Sequence, residues 1–230
     1  VLFDLTKRSL LRNARYEYVM TSSNDMRGID VALLYSPFSF RLLKADTIRV
    51  SLIADMRPTR DILHVEGAIA NGDTLHVLLL HAPSRTGGEI YSRPFRKHVI
   101  KQVSNVVDSI QKCQVHAKII VMGDFNDYAD SPSLKPLYEC GLLNVSAQAK
   151  GKNGAKGTYR YHGEWGSLDQ ILISDNLRPY VLSCYVNDAP FLLEEDMKYG
   201  GVKPRRHYNG MRYNNGFSDH LPLVLRLSIP

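Results

Sequence analysis

Several side chains that could transfer protons or bind a metal ion lie at the ends of hydrophobic segments. In KIIVMGDFNDYADSPS, apolar residues run into Gly123, and Asp124 and Asn126 follow at once. His81 ends LHVLLLH, and Asp169 begins DQILI. Carboxylates and imidazoles are the usual general acids, general bases and metal ligands of enzymes. Three further residues occupy similar positions: Asp30 before VALLY, and Asp219 and His220 before LPLVLRL.

Turn chemistry explains part of this pattern without a function. Gly, Asp and Asn commonly end strands, so Asp124 or Asp30 alone needs no catalytic role. Turn chemistry does not explain two histidines, His81 and His220, in matching positions. The five strand ends, at positions 30, 81, 124, 169 and 219, follow one another at intervals of 43 to 51 residues. Together they predict one site that is assembled from several strand ends.

The hydrophobic pattern predicts the elements that position these residues. RYEYVMTS, IDVALLYSP, AKIIVMGDFN, SLDQILIS and LPLVLRLSI are typical of strands, and ANGD predicts a hairpin between two further β-rich runs. From Ser92 the apolar spacing becomes that of an amphipathic helix of about five turns, with Ser92 as its cap and Pro94 in its first turn. VLFDLTKRSLL also has helical spacing, with Val1, Leu2, Leu5 and Leu10 on one side. Hairpins beside one strand–helix–strand crossover indicate mixed β-sheets covered by helices, in a single domain over residues 1–230.

Three motifs carry a resemblance to a known family. GDFND, GSLDQILIS and GFSDHLPLVL, in that order, resemble the endonuclease/exonuclease/phosphatase superfamily, which includes deoxyribonucleases, neutral sphingomyelinases and inositol-polyphosphate phosphatases. LHVLLLHAPSR and GIDVALLYSP extend the resemblance over most of residues 28–228. The fold that it implies is a four-layer α/β/β/α sandwich of two mixed β-sheets, with the site where strand ends of both sheets meet.

The resemblance also implies a chemistry, the metal-assisted hydrolysis of a phosphate ester. His220 would be the general base, and Asp169 would hold its tautomer and stabilise the imidazolium. His81 matches the second histidine of the deoxyribonuclease branch. Asp30 lies where the carboxylate partner of that histidine is expected.

Asp124 and Asn126 are two residues apart at one strand end, so both are expected to point toward the phosphate. Asn126 would donate to a phosphoryl oxygen, while Asp124 would accept from the attacking water or approach the metal. Asp219 is the metal ligand that the resemblance carries over, with Asp124 as a second. Oxygen ligands favour Mg²⁺ or Mn²⁺ over zinc.

The sequence departs from the family pattern at its start. Members normally begin with a strand that carries a metal-site Asn and a second strand that ends in a metal-ligand Glu, and neither motif is present here. Glu17 and Glu66 lie within strands and do not replace that Glu. An incomplete N-terminus is favoured over a lineage that has lost its metal. In either case we expect weakly held metal and one sheet without two central strands.

Basic residues indicate an anionic substrate. The net charge is +6, and Arg205, Arg206 and Arg212 alternate with tyrosines in a loop before the last motif, as in a nucleic-acid groove. An ordinary solvated loop would have the same composition. Arg85, four residues after His81, could reach a phosphate or simply pair with an acid.

Three functions therefore remain open. The first is a metal-dependent phosphodiesterase acting on nucleic acid, and the second is a phosphatase acting on a phospholipid, an inositol phosphate or another small phosphate. The third is a non-catalytic binding domain that has lost its metal site. No segment has the roughly 18 consecutive apolar residues that span a membrane. We expect a monomer, and the compartment, cytoplasmic or exported, is left open.

Overall fold

The computed structural model describes residues 1–229. Three 3₁₀ helices lie at Leu10–Ala14, Asp175–Tyr180 and Pro190–Leu192. The other helices and the strands follow one another as α1 (Leu2–Lys7), β1 (Glu17–Met20), β2 (Ala32–Tyr35), β3 (Phe40–Ile48), β4 (Ile62–Ile69), β5 (Thr74–His81), α2 (Glu89–Cys113), β6 (Lys118–Asp124), α3 (Lys135–Glu139), β7 (Leu142–Asn144), β8 (Tyr159–Tyr161), β9 (Glu164–Gly166), β10 (Asp169–Ser174), β11 (Val181–Val186), β12 (Leu193–Glu195), β13 (Val202–Pro204), β14 (Tyr208–Asn209), β15 (Arg212–Tyr213) and β16 (Leu223–Leu227).

A six-stranded mixed sheet forms the centre of the molecule, with the strand order β3-β4-β5-β6-β10-β7. β5 and β6 are parallel, and the other neighbouring pairs are antiparallel. Parallel neighbours need a long crossover connection, and α2 supplies it. β4 and β5 form the hairpin predicted at ANGD.

The two faces of this sheet carry separate hydrophobic cores, because successive strand residues point to opposite faces. On one face, Ile62, Leu78 and Val121 pack with Val99 and Val103 of α2. These residues are at most 1% exposed. The face of the sheet that α2 covers therefore forms a hydrophobic core that excludes water.

A second β layer covers the opposite face of the sheet. In residues 1–229 it consists of two separate pairs of strands, β1–β2 and β11–β16. Val19 and Leu33 of the first pair, and Leu223 and Leu225 of the second, belong to the same core as Leu79 of the central sheet. The predicted α/β sandwich with mixed sheets is therefore confirmed.

α2 begins earlier than predicted. It starts at Glu89, and Ser92 lies inside it, with its hydroxyl donating to Gly88 O at 2.7 Å. The Glu89 carboxylate accepts from Arg96 Nη2 at 2.6 Å. This contact holds the first turn of α2, which precedes the predicted start, against the buried Arg96 side chain. Within residues 1–229, no helix is both long enough and apolar enough to cross a membrane.

α1 is shorter than the helical spacing predicted, because it ends at Lys7. Val1 is 100% exposed and Leu10 is 92% exposed. Leu2 and Leu5, which lie within α1, are half-buried, so only the part of the predicted apolar side inside the helix is covered.

Candidate active site

The ends of β5, β6 and β10 place three polar residues side by side. β5 and β6 are parallel with His81 opposite Asp124, and β10 is antiparallel to β6 with Asp169 opposite Asp124. Residues directly opposite one another in neighbouring strands share a face of the sheet. The row His81–Asp124–Asp169 therefore continues the face that the second β layer covers.

Close contact between β5 and β6 at this end depends on Gly123. Its φ is 144°, a conformation that L side chains rarely adopt. A Cβ at this position would lie 1.9 Å from Leu80 O. Only glycine lets the two strands remain paired up to His81 and Asp124.

His220 reaches the row from the second β layer, just before β16. Its backbone pairs with Tyr159 in an isolated bridge, and its Nδ1 lies 2.7 Å from Asp169 Oδ2. Burial alone would lower the pKa of His220. The hydrogen bond and charge of Asp169, with the charges of Asp124 and Asp219, outweigh burial and raise that pKa to about 9. In this structure His220 is therefore an imidazolium at neutral pH.

Asp124 is the central carboxylate of the row. Its Oδ1 accepts from Asn126 N at 2.7 Å, and its Oδ2 lies 3.4 Å from His81 Nε2. Burial, followed by the negative charge of Asp169, raises the pKa of Asp124 to about 6. The site thus holds more negative charge than its own side chains neutralise.

Asn126 has a different set of contacts from those expected. Its Nδ2 donates to Ala82 O at 3.1 Å and to Asp124 Oδ2 at 3.2 Å. Both partners are acceptors, so both amide hydrogens are used and neither is free for a phosphoryl oxygen. Its φ of 50° gives it the left-handed conformation that returns the amide toward Asp124. Asn126 therefore orients Asp124.

A buried arginine that the sequence did not point to lies behind His81. Arg60 is 4% exposed and donates to Asp25 Oδ2 at 3.0 Å and to Ala82 O at 2.8 Å. Burial, followed by the positive charges of Arg60 and Arg27, lowers the pKa of His81 to about 4. His81 is consequently neutral at physiological pH.

Asp30 does not lie in this cleft within residues 1–229, and the structure does not pair it with His81. Its Oδ1 accepts from Ser23 N at 2.7 Å and from Thr21 Oγ1 at 3.0 Å. The carboxylate fastens the loop between β1 and β2. The acid within ion-pair distance of His81 is Asp124 instead.

These residues line an open cleft of about 890 Å³. Arg85 lies in its wall, where Nη2 contacts Glu89 at 2.8 Å and the guanidinium packs over the Tyr128 ring at 5.1 Å. Its Nη1 is buried and has no hydrogen-bond partner in residues 1–229. The cleft is lined by Arg27, His81, Ser84, Arg85, Thr86, Asp124, Asn126, Tyr128, Tyr159, Tyr161, Glu164, Trp165, Gly166, Leu168, Asp169, Ser218, Asp219 and His220.

The basic loop lies mostly outside the cleft. Arg206 lines a neighbouring cavity of about 320 Å³ with Asp219, and its Nη2 donates to Arg160 O at 2.8 Å. Arg205 packs over the Phe217 ring at 5.9 Å. Neither Arg205 nor Arg212, an exposed residue of β15, lines either cavity in residues 1–229. The structure therefore does not gather the three arginines around His220.

Within residues 1–229, Asp124, Asp169 and His220 have ligand atoms that all lie within 4.8 Å of one another. Asp219 lines the same cleft but is not part of this group. The pKa of Asp124 is raised first by its partial burial and second by the negative charge of the nearby Asp169. Oxygen-rich donors with excess negative charge fit a small divalent cation.

Sequence reasoning missed the aromatic wall of the cleft. Tyr159 and Tyr161 lie in β8, which is only three residues long and gives no periodic signal. The one usable signal was His162-Gly163 between two short aromatic runs, because a two-residue loop ending in Gly is typical of a β-hairpin. Arg27, Tyr128 and Glu164 are among the other lining residues that the sequence did not indicate.

Comparison with known proteins gives a consistent family. The sequence profile of the Endonuclease/Exonuclease/phosphatase family matches residues 1–228. No sequence among the curated proteins matches this chain.

Similar solved structures include a mannosyl-6-phosphatase of Bacteroides thetaiotaomicron, with 15% identity, a TM-score of 0.66, and coverage of 93% of this chain and 77% of that one. The human Nocturnin catalytic domain with a bound sulfate has 17% identity, a TM-score of 0.63, and coverage of 98% and 77%. D. rerio TDP2, complexed with a single-strand DNA product, has 17% identity, a TM-score of 0.60, and coverage of 99% and 81%. At these identities the similarity establishes a shared fold.

Proposed function

Because the chain belongs to the endonuclease/exonuclease/phosphatase family, we propose that it hydrolyses a phosphate ester in the cleft around His220 with the help of a divalent cation. The observation that carries this proposal is the contact of 2.7 Å between His220 and Asp169, beside the half-buried carboxylate of Asp124. An oriented imidazole beside a charged, partly dehydrated pocket is the arrangement that phosphoester hydrolysis needs.

In the proposed reaction the oxygen of a water molecule bonds to phosphorus, and the bond from phosphorus to the ester oxygen breaks with its electron pair on that oxygen, which takes a proton from solvent and leaves as the alcohol. The water proton goes to His220 Nε2, while Asp169 holds the hydrogen on Nδ1. Asn126 keeps the Asp124 carboxylate in place. A bound cation would offset the charge of the phosphoryl oxygens and lower the pKa of the neighbouring groups, so that His220 can act as a base near neutral pH.

Mg²⁺ or Mn²⁺ is the proposed cation. The carboxylates of Asp124 and Asp169 would supply its ligands, with Asp219 in the same cleft, while Nε2 of His220 stays free to accept the water proton. Carboxylates suit hard divalent cations.

Arg85 is the proposed phosphate-binding residue. Its guanidinium lies in the cleft wall, and its buried Nη1 has no hydrogen-bond partner within residues 1–229. Arginine binds phosphate oxygens with fixed, paired N–H groups.

The charge of the cleft supports a small phosphate ester over a polynucleotide. Its lining includes four carboxylates, those of Asp124, Glu164, Asp169 and Asp219, and only two arginines. Both arginines already have acidic partners, Arg27 with Asp25 and Arg85 with Glu89. A nucleic-acid groove would present free cations to successive phosphates.

The nuclease remains the second candidate. It is supported by the exposed basic hairpin around Arg212 and by the similarity to TDP2, whose structure contains a single-strand DNA product. The mannosyl-6-phosphatase among the similar structures supports the phosphatase.

A paired assay tests these functions. Phosphate release from a panel of monoesters is measured beside nicking of supercoiled plasmid, with Mn²⁺ or Mg²⁺ and with a chelator. We expect phosphate release that requires the cation and that falls on the order of 10²–10⁴-fold in His220→Ala. The matched control is His116→Ala, an exposed histidine before the opposite end of β6, which should retain wild-type turnover.

Plasmid nicking without phosphate release would favour the nuclease. If the folded wild-type chain shows neither activity but still binds a ligand, the result would favour the non-catalytic binding domain. Wild-type turnover in His220→Ala would remove that residue from the mechanism.

A further inference from the structure

A row of four ring side chains leads from His220 out of the cleft. We call Tyr159, Tyr161, His162 and Tyr199 the aromatic row. The Tyr159 ring lies 4.8 Å from the His220 ring, and Tyr161 follows at 6.5 Å with an interplanar angle of 13°. His162 lies 4.0 Å from Tyr161, and Tyr199 lies 6.2 Å from His162. The row begins beside the proposed base and ends at the surface.

The aromatic row presents exposed rings, although large apolar side chains are usually covered. Tyr161 is 60% exposed and Tyr199 is 44% exposed. A single exposed ring needs no explanation, but contiguous exposed rings next to a cleft are typical of a binding surface.

Buried polar contacts hold the aromatic row in place. Tyr159 and Tyr161 are alternate residues of β8 and share a face, while Arg160 between them points the other way. Arg160 is 9% exposed, and its Nη2 donates to Gly200 O at 2.8 Å. Its Nε lies 3.7 Å from Asp196. These contacts fix the loop that carries Tyr199 against the β8–β9 hairpin, so a ligand would meet rings that are already arranged.

A free carboxylate accompanies the rings. Glu164 lies opposite Tyr161 in the β8–β9 hairpin and lines the cleft. It makes no ion pair within residues 1–229. The cations that lie over rings of the row are Arg206, 5.3 Å from the centre of the Tyr159 ring, and Lys198, 4.9 Å from the centre of the Tyr199 ring, while Arg160 pairs with Asp196. A carboxylate beside ring faces accepts hydrogen bonds from hydroxyl groups, whereas it repels a further phosphate.

We infer that the aromatic row and Glu164 bind the sugar ring of a sugar-phosphate substrate whose phosphate lies at His220. The inference rests on the proposed function and names the substrate class for the same cleft. The rings cover the apolar C–H faces of the sugar, and Glu164 accepts from its hydroxyls.

The position of Tyr159 favours a sugar over a nucleobase. Its ring lies 4.8 Å from the His220 ring, so it meets the group attached directly to the phosphate. In a sugar phosphate that group is the sugar, and in a nucleotide the base lies one ring further away. The negative charge of Glu164 and Asp219 also disfavours a ligand with several phosphates.

Steady-state kinetics on Tyr161→Ala and Glu164→Gln test the inference. The substrates are a hexose 6-phosphate and glycerol 3-phosphate, which carries the same monoester without a ring. We expect the ratio of kcat/KM for the hexose ester to that for the glycerol ester to fall on the order of tenfold in each variant, mainly through KM. Tyr91→Ala, a tyrosine of α2 that is 55% exposed and outside the cleft lining, is the matched control and should retain the wild-type ratio.

A binding measurement separates this inference from the proposed function. The chain has a single tryptophan, Trp165, and it lines the cleft, so its fluorescence reports binding without turnover. Hexose 6-phosphate should change the fluorescence of the wild-type chain and bind on the order of tenfold more weakly to Tyr161→Ala. If binding follows this pattern while no ester is hydrolysed, the proposed function fails and the sugar site stands.

Two results would overturn the sugar site. One is hydrolysis of both esters with an unchanged ratio in Tyr161→Ala and Glu164→Gln. The other is a larger loss for a nucleoside 5′-monophosphate than for hexose 6-phosphate, which would assign the aromatic row to a base.

Discussion

At the scale of single residues, Asp169 makes the largest contribution among the neighbours that raise the pKa of His220. Asp169 Oδ2 lies 2.7 Å from Nδ1, and its charge opposes the effect of burial. A carboxylate at this distance fixes the tautomer of an imidazole and stabilises its protonated form. The pKa of His220 should therefore respond strongly to a change at Asp169.

Asp169→Asn should lower the pKa of His220 from about 9 toward its ordinary value of 6.5, because the amide keeps the shape of the carboxylate but not its charge. NMR titration of the imidazole in the metal-free protein measures this. Asp175→Asn, an exposed carboxylate beyond the other end of β10, is the control. An unchanged His220 pKa in Asp169→Asn would assign the shift to other groups.

The same pair sets a pH dependence of stability. Since the folded-state pKa of His220 is raised, the stabilisation by Asp169 is full below about pH 6.5 and is lost as the pH rises through about 9. The difference in the free energy of unfolding between the wild-type chain and Asp169→Asn should therefore shrink across this interval.

Arg85→Lys should raise KM for a phosphate ester on the order of tenfold with a smaller change in kcat. The reason is that lysine offers one point charge where arginine offers a planar set of N–H groups. Steady-state kinetics measure the change. Arg93→Lys is a close control, because Arg93 Nε contacts the same Glu89 carboxylate at 2.9 Å but lies outside the cleft lining. If Arg85→Lys and Arg93→Lys raised KM equally, the effect of Arg85 would come from its contact with Glu89 alone.

At the scale of elements, the site depends on how closely β5 and β6 approach. A Cβ on Gly123 would lie 1.9 Å from Leu80 O, and the φ of 144° is itself unfavourable for other residues. This one glycine therefore holds the strand ends that carry His81 and Asp124 together.

Gly123→Ala should lower the free energy of unfolding by about 3 kcal/mol or more, from backbone strain of about 1–3 kcal/mol together with the clash. Urea denaturation measures the loss. Gly72→Ala separates the two causes, since Gly72 has a φ of +90° but no atom within 4 Å of its added Cβ. Similar losses in the two variants would show that crowding at Leu80 is not the cause.

The elements that the sequence predicted well are those with a strong local pattern. The apolar run of β6 and the turn residues at ANGD are visible in a few consecutive positions, and both elements are present. Likewise the polar ends of β5, β6 and β10 were visible because each directly follows or precedes a hydrophobic run. Local patterns thus located the row of the site, although not its contacts.

The contacts that sequence reasoning missed are set between distant segments. Asp30 was assigned to His81, yet its carboxylate bonds to Ser23 and Thr21 in its own loop. Arg60 reaches the site through Asp25, which is 35 residues away in sequence. No local sequence pattern indicates which of several carboxylates will be hydrogen-bonded within its own loop. For the same reason Asn126 looked like a free donor, whereas Ala82 and Asp124 use its amide.

At the scale of the whole molecule, the net charge of +6 does not describe the cleft. The cleft lining contains more carboxylates than arginines. The excess positive charge therefore lies elsewhere on the surface, where it can attract an anion to the protein without selecting it at the site.

Mn²⁺ should bind this chain more tightly than Mg²⁺, and Mg²⁺ should bind weakly. Asp169 already accepts from the His220 ring, which leaves few free carboxylate oxygens, and Mg²⁺ requires near-ideal octahedral geometry and loses its water molecules reluctantly. Calorimetric titration of both cations measures the order. Asp219→Asn should weaken binding, while the exposed Asp130→Asn serves as the control. Tight Mg²⁺ binding by the wild-type chain would contradict this account of the ligands.

Because the site depends on the strand register, catalytic activity reports whether the central strands are correctly aligned. His81, Asp124 and Asp169 share a face only because β5, β6 and β10 are aligned residue for residue. A slip of β6 by a single residue would turn Asp124 toward the α2 side of the sheet. Such a misaligned chain could retain its circular dichroism spectrum and its compactness, yet it would be catalytically silent. The specific activity of a refolded sample should therefore count the molecules whose strands are aligned, which a spectrum of secondary structure cannot do.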